Sequence, residues 1–307
     1  MRPTRSHRVL VGDLNVKIGV IGNPRAGRGS VDWDDLVRRL GGAELWLTER
    51  PGQAVELVTQ ARHAAVDLVV AAGGDGTVHE VVNGILTDHA AATLGVIPLG
   101  SGCDYAKTFD IPHDVEKACA LITADTQPRI VDAGEIRCRR GDDEEVRYFA
   151  NIAEVGIGPE VVARASRMPR ALGPLMYFAA FCLSLPRYER RTASIRMDEA
   201  VYDGGLMDLV VATGQVFGGG MRVAPKADPS DGMFDVQVHY GSKLDYVRGI
   251  AKVYRGTHLP HPRILQERAK VVEITCTPVG LIEADGEVVG TTPASFRVLP
   301  GALRLKV

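Results

Sequence analysis

The chain has 307 residues, of which 45% are hydrophobic and 24% are charged, and its formal net charge is −2. This length suits one large domain or two of ordinary size, and a near-neutral charge gives no reason to expect a nucleic-acid partner. Five scattered cysteines without a C-x-x-C pair argue against a disulfide framework or a zinc site. We therefore expect a cytoplasmic protein, with no apolar run long enough to span a membrane.

The first third of the chain alternates between strand-like and helix-like segments. We predict strands over residues 17–24, 43–50, 66–74 and 94–102, and helices over residues 31–40 and 51–65. Strands that alternate with helices predict an α/β domain with a parallel sheet covered on both faces.

From about Arg129 the pattern changes to successive alternating runs with short turns. We predict strands over residues 129–138, 146–155, 233–240, 271–278, 279–286 and 296–300. This pattern predicts a β-rich antiparallel second domain. The composition shift near Pro128 divides the chain into an α/β domain (1–128) and a β-rich domain (129–307), whose C-terminal tail could pack back on the first domain.

The stretch GGDGTVHEVVNG, residues 73–84, joins a buried strand to a helix-like pattern. Thr77 and Glu80 form a T-x-x-E capping box, and Asn83–Gly84 would end the helix. Glycines let a ligand approach the backbone, and a helix N-terminus attracts anions, so the stretch predicts a phosphate site. It matches neither a Walker P-loop nor a G-x-G-x-x-G dinucleotide motif. The alternative is a tight structural turn that contains an aspartate.

Two more glycine-bearing loops follow predicted strands. NPRAGRG spans residues 23–29, and PLGSGCDYA spans residues 98–106. Ligands of open parallel sheets bind outside the carboxyl ends of the strands. We therefore expect the three loops to converge on one ligand.

The longest uncharged run is ALGPLMYFAAFCLSLP, residues 171–186. The arginines that flank it are Arg164, Arg167, Arg170, Arg187, Arg190 and Arg191. Two interpretations stay open: a core helix or substrate-pocket wall, and peripheral, salt-sensitive contact with an anionic membrane at the inner face. The pair His258 and His261 has no further metal-type residues close in sequence and is expected at the surface.

Five motifs in this order carry a family resemblance: NPRAGRG, GGDGTVHEVVNG, PLGSGCDYAK, GGGMRVAPKADPSDGMFDV and EADGE. From about Lys17 to the C-terminus the chain resembles the diacylglycerol kinase catalytic family of lipid kinases. It is closest to the soluble bacterial branch, which is related to sphingosine and ceramide kinases. The third loop usually contains G-T-x-N-D-F-A in this family, and here Ser101, Cys103 and Tyr105 replace Thr, Asn and Phe.

The resemblance implies a kinase that uses ATP and Mg²⁺, with residues 1–128 as its nucleotide-binding domain and residues 129–307 as its lipid-substrate domain. Its nucleotide contacts would come from Asn23, Thr48, Gly73, Gly74, Asp75, Gly76, Thr77 and Ser101. Asp75 would also meet Mg²⁺ at the phosphates, where phosphoryl transfer needs charge neutralisation.

Two aspartate-rich turns lie in the second domain. Taken alone, ADPSDGMFD (residues 227–235) suggests a solvated β-turn, but the resemblance implies a structural Mg²⁺ held by the Asp231 side chain and by main-chain oxygens of Asp228 and Met233. ADGEV (residues 284–288) predicts a hairpin turn by its D-G pair. The resemblance places the family's catalytic acid residues there. We predict Asp285 as the base and Glu287 as the group that orients it or a water, and the two roles could be exchanged.

These observations predict an ATP-dependent lipid kinase with a diacylglycerol-type acceptor. A sphingoid-base or ceramide kinase is the close alternative. An NAD-kinase-like enzyme for a soluble acceptor shares GGDGT but lacks the later motifs. A non-catalytic lipid- or nucleotide-binding regulator is the alternative that is not an enzyme.

Overall fold

The computed structural model describes residues 9–11, 14–27, 31–168 and 175–307, which form two compact units. Unit 1 contains the described residues up to Val131 together with Gly301–Val307, and unit 2 contains Asp132–Pro300. The division after Val131 lies close to the composition shift at Pro128. The functional roles assigned to the two domains stay predictions.

Unit 1 alternates strands and helices. Its strands are β1 (Val9–Val11), β2 (Leu14–Val16), β3 (Ile18–Gly22), β4 (Glu44–Leu47), β5 (Leu68–Gly73) and β6 (Thr93–Pro98). Its helices are α1 (Trp33–Arg39), α2 (Gln53–His63), α3 (Asp75–Asp88), α4 (Asp104–Thr108) and α5 (Val115–Thr123).

Four of these strands form a parallel sheet in the order β6-β5-β3-β4, and β1 pairs only with β2. Every residue of β3 and β5 is buried, as strands covered on both faces require. The last residues of the chain extend this sheet, because Arg304 and Leu305 pair in parallel with Thr93 and Leu94 of β6. The predicted α/β fold with a parallel sheet is thus confirmed for unit 1.

Helix α3 differs from its prediction at both ends. It begins at Asp75 with Gly74 as N-cap, and no side chain caps it. The predicted capping box is wrong, because Glu80 instead accepts hydrogen bonds from the backbone N–H groups of Gly52 (2.8 Å) and Ala54 (3.0 Å) at the start of α2. Gly84 does not end α3 either. A Cβ there would lie 2.7 Å from Cβ of Val58, so this glycine allows α2 and α3 to pack closely.

Unit 2 is rich in strands. They are β7 (Arg129–Arg140, whose first residues belong to unit 1), β8 (Asp143–Phe149), β9 (Ile152–Gly156), β10 (Arg191–Met197), β11 (Ala200–Leu206), β12 (Asp208–Ala212), β13 (Phe234–His239), β14 (Ile264–Ala269), β15 (Val271–Thr277), β16 (Leu281–Ala284) and β17 (Glu287–Leu305, which ends in unit 1). The helices are α6 (Ile157–Ala165), α7 (Leu175–Ser184) and α8 (Lys243–Tyr254).

The strands of unit 2 pair antiparallel in the order β14-β13-β12-β9-β16-β17, with β10, β11 and β15 joined through β17. Buried side chains from both groups of strands share one core, among them Val155, Ile195, Phe234, Ile274 and Phe296. The predicted antiparallel, β-rich second region is confirmed.

The arginine-flanked apolar run contains α7. Residues 169–174, and with them Arg170, lie outside the described residues. Ala180 is buried and Phe181 packs against the core formed by Ile157, Leu185, Tyr188 and Met207, whereas Phe178 is exposed. Helix α7 therefore has one core face and one exposed face. No helix among the described residues is long and apolar enough to cross a membrane.

Candidate active site

The loops that follow β3, β5 and β6 lie at one edge of the parallel sheet. The strand register aligns Gly22 with Ala72 and Gly73 with Pro98, so the three strands end side by side. Direct hydrogen bonds then join the loops. The backbone carbonyl of Gly73 accepts from the N–H of Leu99 (2.8 Å), and the carbonyl of Ala72 accepts from the N–H of Asn23 (2.9 Å). The three loops therefore lie together, and their predicted convergence on one ligand stays a prediction.

Two of the loop glycines are required by close packing within the protein. A Cβ on Gly100 would lie 2.6 Å from Cα of Gly74, and a Cβ on Gly73 would collide with the side chain of Thr77. A Cβ on Gly74, by contrast, would meet its nearest neighbour at 3.4 Å, an ordinary contact. Close packing within the protein thus explains Gly73 and Gly100. For Gly74 the predicted reason, close approach of a ligand to the backbone, remains.

The predicted nucleotide contacts fall on this edge. Nδ2 of Asn23 donates to Oγ1 of Thr77 at 3.4 Å, and the N–H of Thr48 donates to the carbonyl of Gly22 at 2.9 Å. Asn23 and Thr48 are half-buried, whereas Ser101 is exposed on the third loop. Gly76 belongs to the first turn of α3. The N-terminus of α3 therefore lies at the same edge, and the positive end of its helix dipole suits an anion.

Asp75 connects the second loop to the third. Its Oδ1 accepts a hydrogen bond from the backbone N–H of Tyr105 at 3.1 Å. Its Oδ2 lies close to Gly102, since a Cβ added to that glycine would be only 3.0 Å away. Asp75 is half-buried at the first position of α3. A carboxylate in this position is an oxygen donor of the kind that Mg²⁺ prefers.

Asp285 lies at the tip of the β16–β17 hairpin in unit 2. Ala284 pairs with Glu287, and Asp285 and Gly286 have φ values of 50° and 92°, so the predicted two-residue D-G turn is present. The Asp285 carboxylate accepts three backbone hydrogen bonds, from Ala150 (2.9 Å), Asn151 (3.0 Å) and Ile152 (3.1 Å). Glu287 is exposed.

These three hydrogen bonds also explain a difference from the predicted strands. The predicted strand over residues 146–155 is interrupted between β8 and β9, at Ala150 and Asn151. The N–H groups of both residues donate to Asp285. The hairpin tip thus has a structural role in addition to the predicted catalytic one.

The aspartate-rich turn before β13 is closed by its own side chains. Asp228 Oδ1 accepts from the N–H and hydroxyl of Ser230 (3.0 and 2.7 Å), and Asp231 Oδ1 accepts from the N–H of Met233 (3.0 Å). The second oxygen of Asp231 pairs with Arg268. In this arrangement the carboxylate does not fit a cation, which would have to displace Arg268. Among the described residues, no three His, Cys, Asp or Glu side chains converge on a metal position.

Unit 2 also contains a cavity of about 420 Å³, which no single motif predicted. Its walls are mainly apolar, with Ile157, Val161, Phe181, Val210, Met221 and Ile250 among them. Polar groups contribute as well, chiefly Glu154, Asp208, Tyr246 and His258. His258 is buried and lines this cavity, so its predicted surface position is wrong.

Three buried carboxyl groups meet beside this cavity. Glu154 and Glu283 are opposite each other on β9 and β16, and a Cβ on Gly158 of α6 would collide with the Glu154 carboxylate. Burial raises the pKa of Glu154 to about 7. Burial and the nearby Glu154 charge raise the pKa values of Asp208 and Glu283 as well. Glu283 opens the EADGE motif. Because the three groups come from distant parts of the chain, no motif indicated that Glu283 would lie near Glu154 and Asp208.

Comparison with known proteins places the chain in a family. Residues 17–136 match the model for the diacylglycerol kinase catalytic domain, and residues 151–307 match the model for the YegS C-terminal NAD kinase beta sandwich-like domain. The diacylglycerol kinase of Mycobacterium tuberculosis strain H37Rv is 30% identical over 305 residues, covering 94% of each chain. The chain belongs to the diacylglycerol kinase family.

Two other proteins match this chain over most of its length. The diacylglycerol kinase of Bacillus subtilis strain 168 is 30% identical over 247 residues, which cover 80% of this chain and 79% of the relative. The crystal structure of a diacylglycerol kinase from Bacillus anthracis strain Sterne has a TM-score of 0.69 at 22% identity, and the match covers 94% of this chain and 96% of that one. At this identity the structural match shows the shared fold.

Cys103, which replaces the usual asparagine of the diacylglycerol kinase motif, is buried inside the third loop. Cys103 is buried in a left-handed conformation (φ 50°, ψ 47°), and its Sγ donates to the carbonyl of Gly100 at 3.2 Å. Burial raises the pKa of this thiol to about 12, so it stays protonated. Asparagine adopts this backbone conformation more readily than cysteine, which is a local reason for the asparagine of the family pattern.

Proposed function

We propose that this chain transfers the γ-phosphoryl group of ATP to the hydroxyl of diacylglycerol. The observation that carries the proposal is the convergence of three loops and a helix N-terminus at one edge of the parallel sheet, in a chain that belongs to the diacylglycerol kinase family. Backbone N–H groups at such an edge suit a nucleotide phosphate.

The nucleotide site comprises Asn23, Thr48, Gly73 to Thr77 and Ser101. Mg²⁺ is proposed as the cation, and Asp75 supplies an oxygen of the type that this ion prefers. When bound, the ion neutralises charge on the phosphates during transfer. Asp75 also fixes the third loop through Tyr105, so one side chain links the two loops that contact the nucleotide. A second cation at Asp228, Asp231 and Met233 stays a prediction, and it requires Arg268 to release Asp231.

The proposed base is Asp285. An aliphatic hydroxyl must lose its proton as the phosphoryl group arrives, and a carboxylate held in a fixed orientation can accept that proton. The three backbone donors provide this orientation. Glu287 follows it in the hairpin and orients Asp285 or a water, and the exchanged assignment is the alternative.

The cavity of unit 2 supports an acceptor with long apolar chains. A volume of about 420 Å³ lies in the range of small-molecule sites, and its mainly apolar walls suit acyl groups. The buried carboxyl groups beside it give a specific reason to keep a second acceptor class. A sphingoid base carries an ammonium group, which would stabilise the ionised forms of Glu154, Asp208 and Glu283.

The test is a transfer assay with radiolabelled γ-phosphate ATP and separate lipids, resolved by thin-layer chromatography. We expect label in phosphatidic acid when diacylglycerol is the acceptor. Label only in the products of sphingosine or ceramide would select the alternative acceptor class. Label in NAD, or in none of these acceptors, would contradict the proposal.

The proposed acceptor also implies peripheral contact with a membrane, because diacylglycerol is a membrane lipid.

A further inference from the structure

Helix α8 has apolar residues on two of its faces. Tyr246, Gly249, Ile250 and Val253 lie on the face that lines the cavity. At helical spacing on the other side lie Leu244, Val247 and Ala251, and Tyr254 lies between this side and the cavity. Leu244 is 52% exposed, Val247 55% and Tyr254 47%, and no residue of α8 is fully buried. A helix on the surface of a globular protein usually has one apolar face, which is turned to the core, so the second face of α8 needs a partner.

Helix α7 continues the same surface. Phe178 is 51% exposed and Leu183 is 47% exposed. The Nζ of Lys243, at the start of α8, donates to the carbonyl of Pro186 just after α7 at 2.8 Å, which ties the two helices together. We call the set Phe178, Leu183, Leu244, Val247 and Tyr254 the α7–α8 surface.

Cations border this surface. Residues 243–255 contain Lys243, Arg248, Lys252 and Arg255 and one acid, Asp245. That acid pairs with Arg263 at 3.0 Å, so it adds no free negative charge. Arg187, beside Leu183, is a further exposed cation, and Glu189 is an exposed acid on the connection that follows. The border is therefore positively charged overall.

We propose that the α7–α8 surface docks on an anionic lipid bilayer. Exposed apolar side chains next to Lys and Arg are the pattern by which interfacial helices bind anionic membranes. A second copy of this chain fits less well, because it would bring two positively charged surfaces together. This proposal rests on the proposed lipid-acceptor function. It makes α8, rather than the arginine-flanked run of residues 171–186, the main membrane contact.

The cavity and the α7–α8 surface share residues, which connects docking to lipid binding. Phe178 and Tyr254 belong to the α7–α8 surface and also line the cavity, as do the bordering Arg248 and Lys252. The cavity thus reaches the surface that would meet the bilayer. An acceptor lipid could enter it from the membrane with its acyl chains shielded from water.

The experiment is flotation of the full chain with phosphatidylglycerol–phosphatidylcholine vesicles and with phosphatidylcholine vesicles. The test variant is Leu244→Ser with Val247→Ser, neither of which lines the cavity. The matched control is Val201→Ser with Val279→Ser, which are 61% and 60% exposed on other parts of unit 2. We expect the test variant to lower binding to anionic vesicles by roughly tenfold or more, since two apolar contacts are lost. The control should bind as the wild type does, and added salt should weaken binding.

Several results would overturn the proposal. They are no wild-type binding to anionic vesicles at low salt, equal binding to both kinds of vesicle, and a test variant that binds like the control. A dimer without vesicles that the test variant abolishes would make a second copy the occupant.

A parallel assay uses a dispersed short-chain diacylglycerol, on which the test variant should keep wild-type turnover. Vesicle binding without turnover of any lipid would contradict the proposed kinase function and leave the docking surface standing.

Discussion

The two units form their candidate sites by different means. In unit 1 the site is made of backbone groups and short loops whose residues are close in sequence to the strands that carry them, as in Gly73 to Thr77. In unit 2 the candidate site depends on groups that are far apart in the chain, such as Asp285 with Ala150 and Glu154 with Glu283. Local chemistry therefore shapes each loop of the first site, although strand register brings the loops together, whereas the second site depends on long-range pairing for its individual groups.

The sharpest test of unit 1 is Asp75→Ala. We expect it to abolish phosphoryl transfer, because it removes the carboxylate proposed to meet Mg²⁺. The measurement is transfer at saturating ATP, with thermal unfolding as a check on folding. Asp75→Asn keeps an oxygen for the N–H of Tyr105 but removes the charge, so it should be inactive too.

Asp114→Ala, which removes the helix-capping aspartate of α5, is the matched control and should stay active. Near wild-type turnover of Asp75→Ala would mean that the loop is misassigned.

The corresponding test of unit 2 is Asp285→Asn. We expect kcat to fall by roughly 10²–10⁴, the usual contribution of a general base. Stability should fall by about 1–3 kcal/mol, because an amide N–H would face one of the three backbone donors. The measurements are kcat and chemical denaturation.

The matched variant Glu287→Gln should lose less activity and keep wild-type stability, since Glu287 is exposed. If Asp285→Asn is destabilised but keeps its turnover, Asp285 is structural and the base lies elsewhere. If only Glu287→Gln loses turnover, the two roles are exchanged.

The buried carboxyl groups of unit 2 predict a dependence of stability on pH. Burial raises the pKa of Glu154 to about 7, so the folded state binds a proton more tightly than the unfolded state does. The resulting stabilisation is complete below the unfolded pKa and is lost as the pH rises through about 7. Asp208 and Glu283 shift in the same direction.

We therefore expect the unfolding free energy of the wild type to fall between pH 5 and pH 8. Glu154→Gln should remove up to about 3 kcal/mol of that fall, since one pKa unit corresponds to about 1.4 kcal/mol. The measurement is urea denaturation at several pH values. Equal pH slopes for both proteins would show that the pKa of Glu154 is not raised in the folded state. His63→Gln, a change at the exposed end of α2, serves as the control.

Alanine substitution can distinguish the roles of two loop glycines of unit 1, Gly74 and Gly100. Gly100→Ala should lower stability by about 1–3 kcal/mol, because its Cβ would meet Cα of Gly74 at 2.6 Å and backbone cannot move aside easily. Gly74→Ala, with its nearest neighbour at 3.4 Å, should fold normally. Calorimetry then measures ATP affinity. A loss of affinity in the stable Gly74→Ala variant would support close approach of the nucleotide at this position, and unchanged affinity would count against it.

The smallest expected effect is at Cys103. Cys103→Asn should raise stability by up to about 1 kcal/mol, because asparagine tolerates the left-handed conformation that cysteine is forced to adopt. Cys119→Asn, at a buried helical position of α5, should instead lower stability. Both are measured by chemical denaturation. If Cys103→Asn is also destabilised, the hydrogen bond from Sγ to Gly100 contributes more than the backbone conformation does.

Sequence patterns predicted features whose causes are local. The D-G hairpin at Asp285 and Gly286 and the strand, glycine loop and helix around Gly73 follow from backbone preferences of a few neighbouring residues. Prediction failed where a distant group competed. Thr77 and Glu80 look like a capping box, yet Glu80 caps α2 because the N–H groups of Gly52 and Ala54 lie within its reach. Gly84 looks like a helix end, yet it is the point at which α3 packs on α2.

The sequence by itself determined the fold class, the family resemblance and the position of the glycine-bearing loops, because hydrophobic periodicity and glycine conformation act over short distances. Only the tertiary structure decided that Glu154, Asp208 and Glu283 share one buried environment, that His258 lines a cavity, and that α8 keeps a second apolar face exposed. These features depend on which strands and helices become neighbours. That choice is made by packing of the whole unit, and no single stretch of the chain contains it.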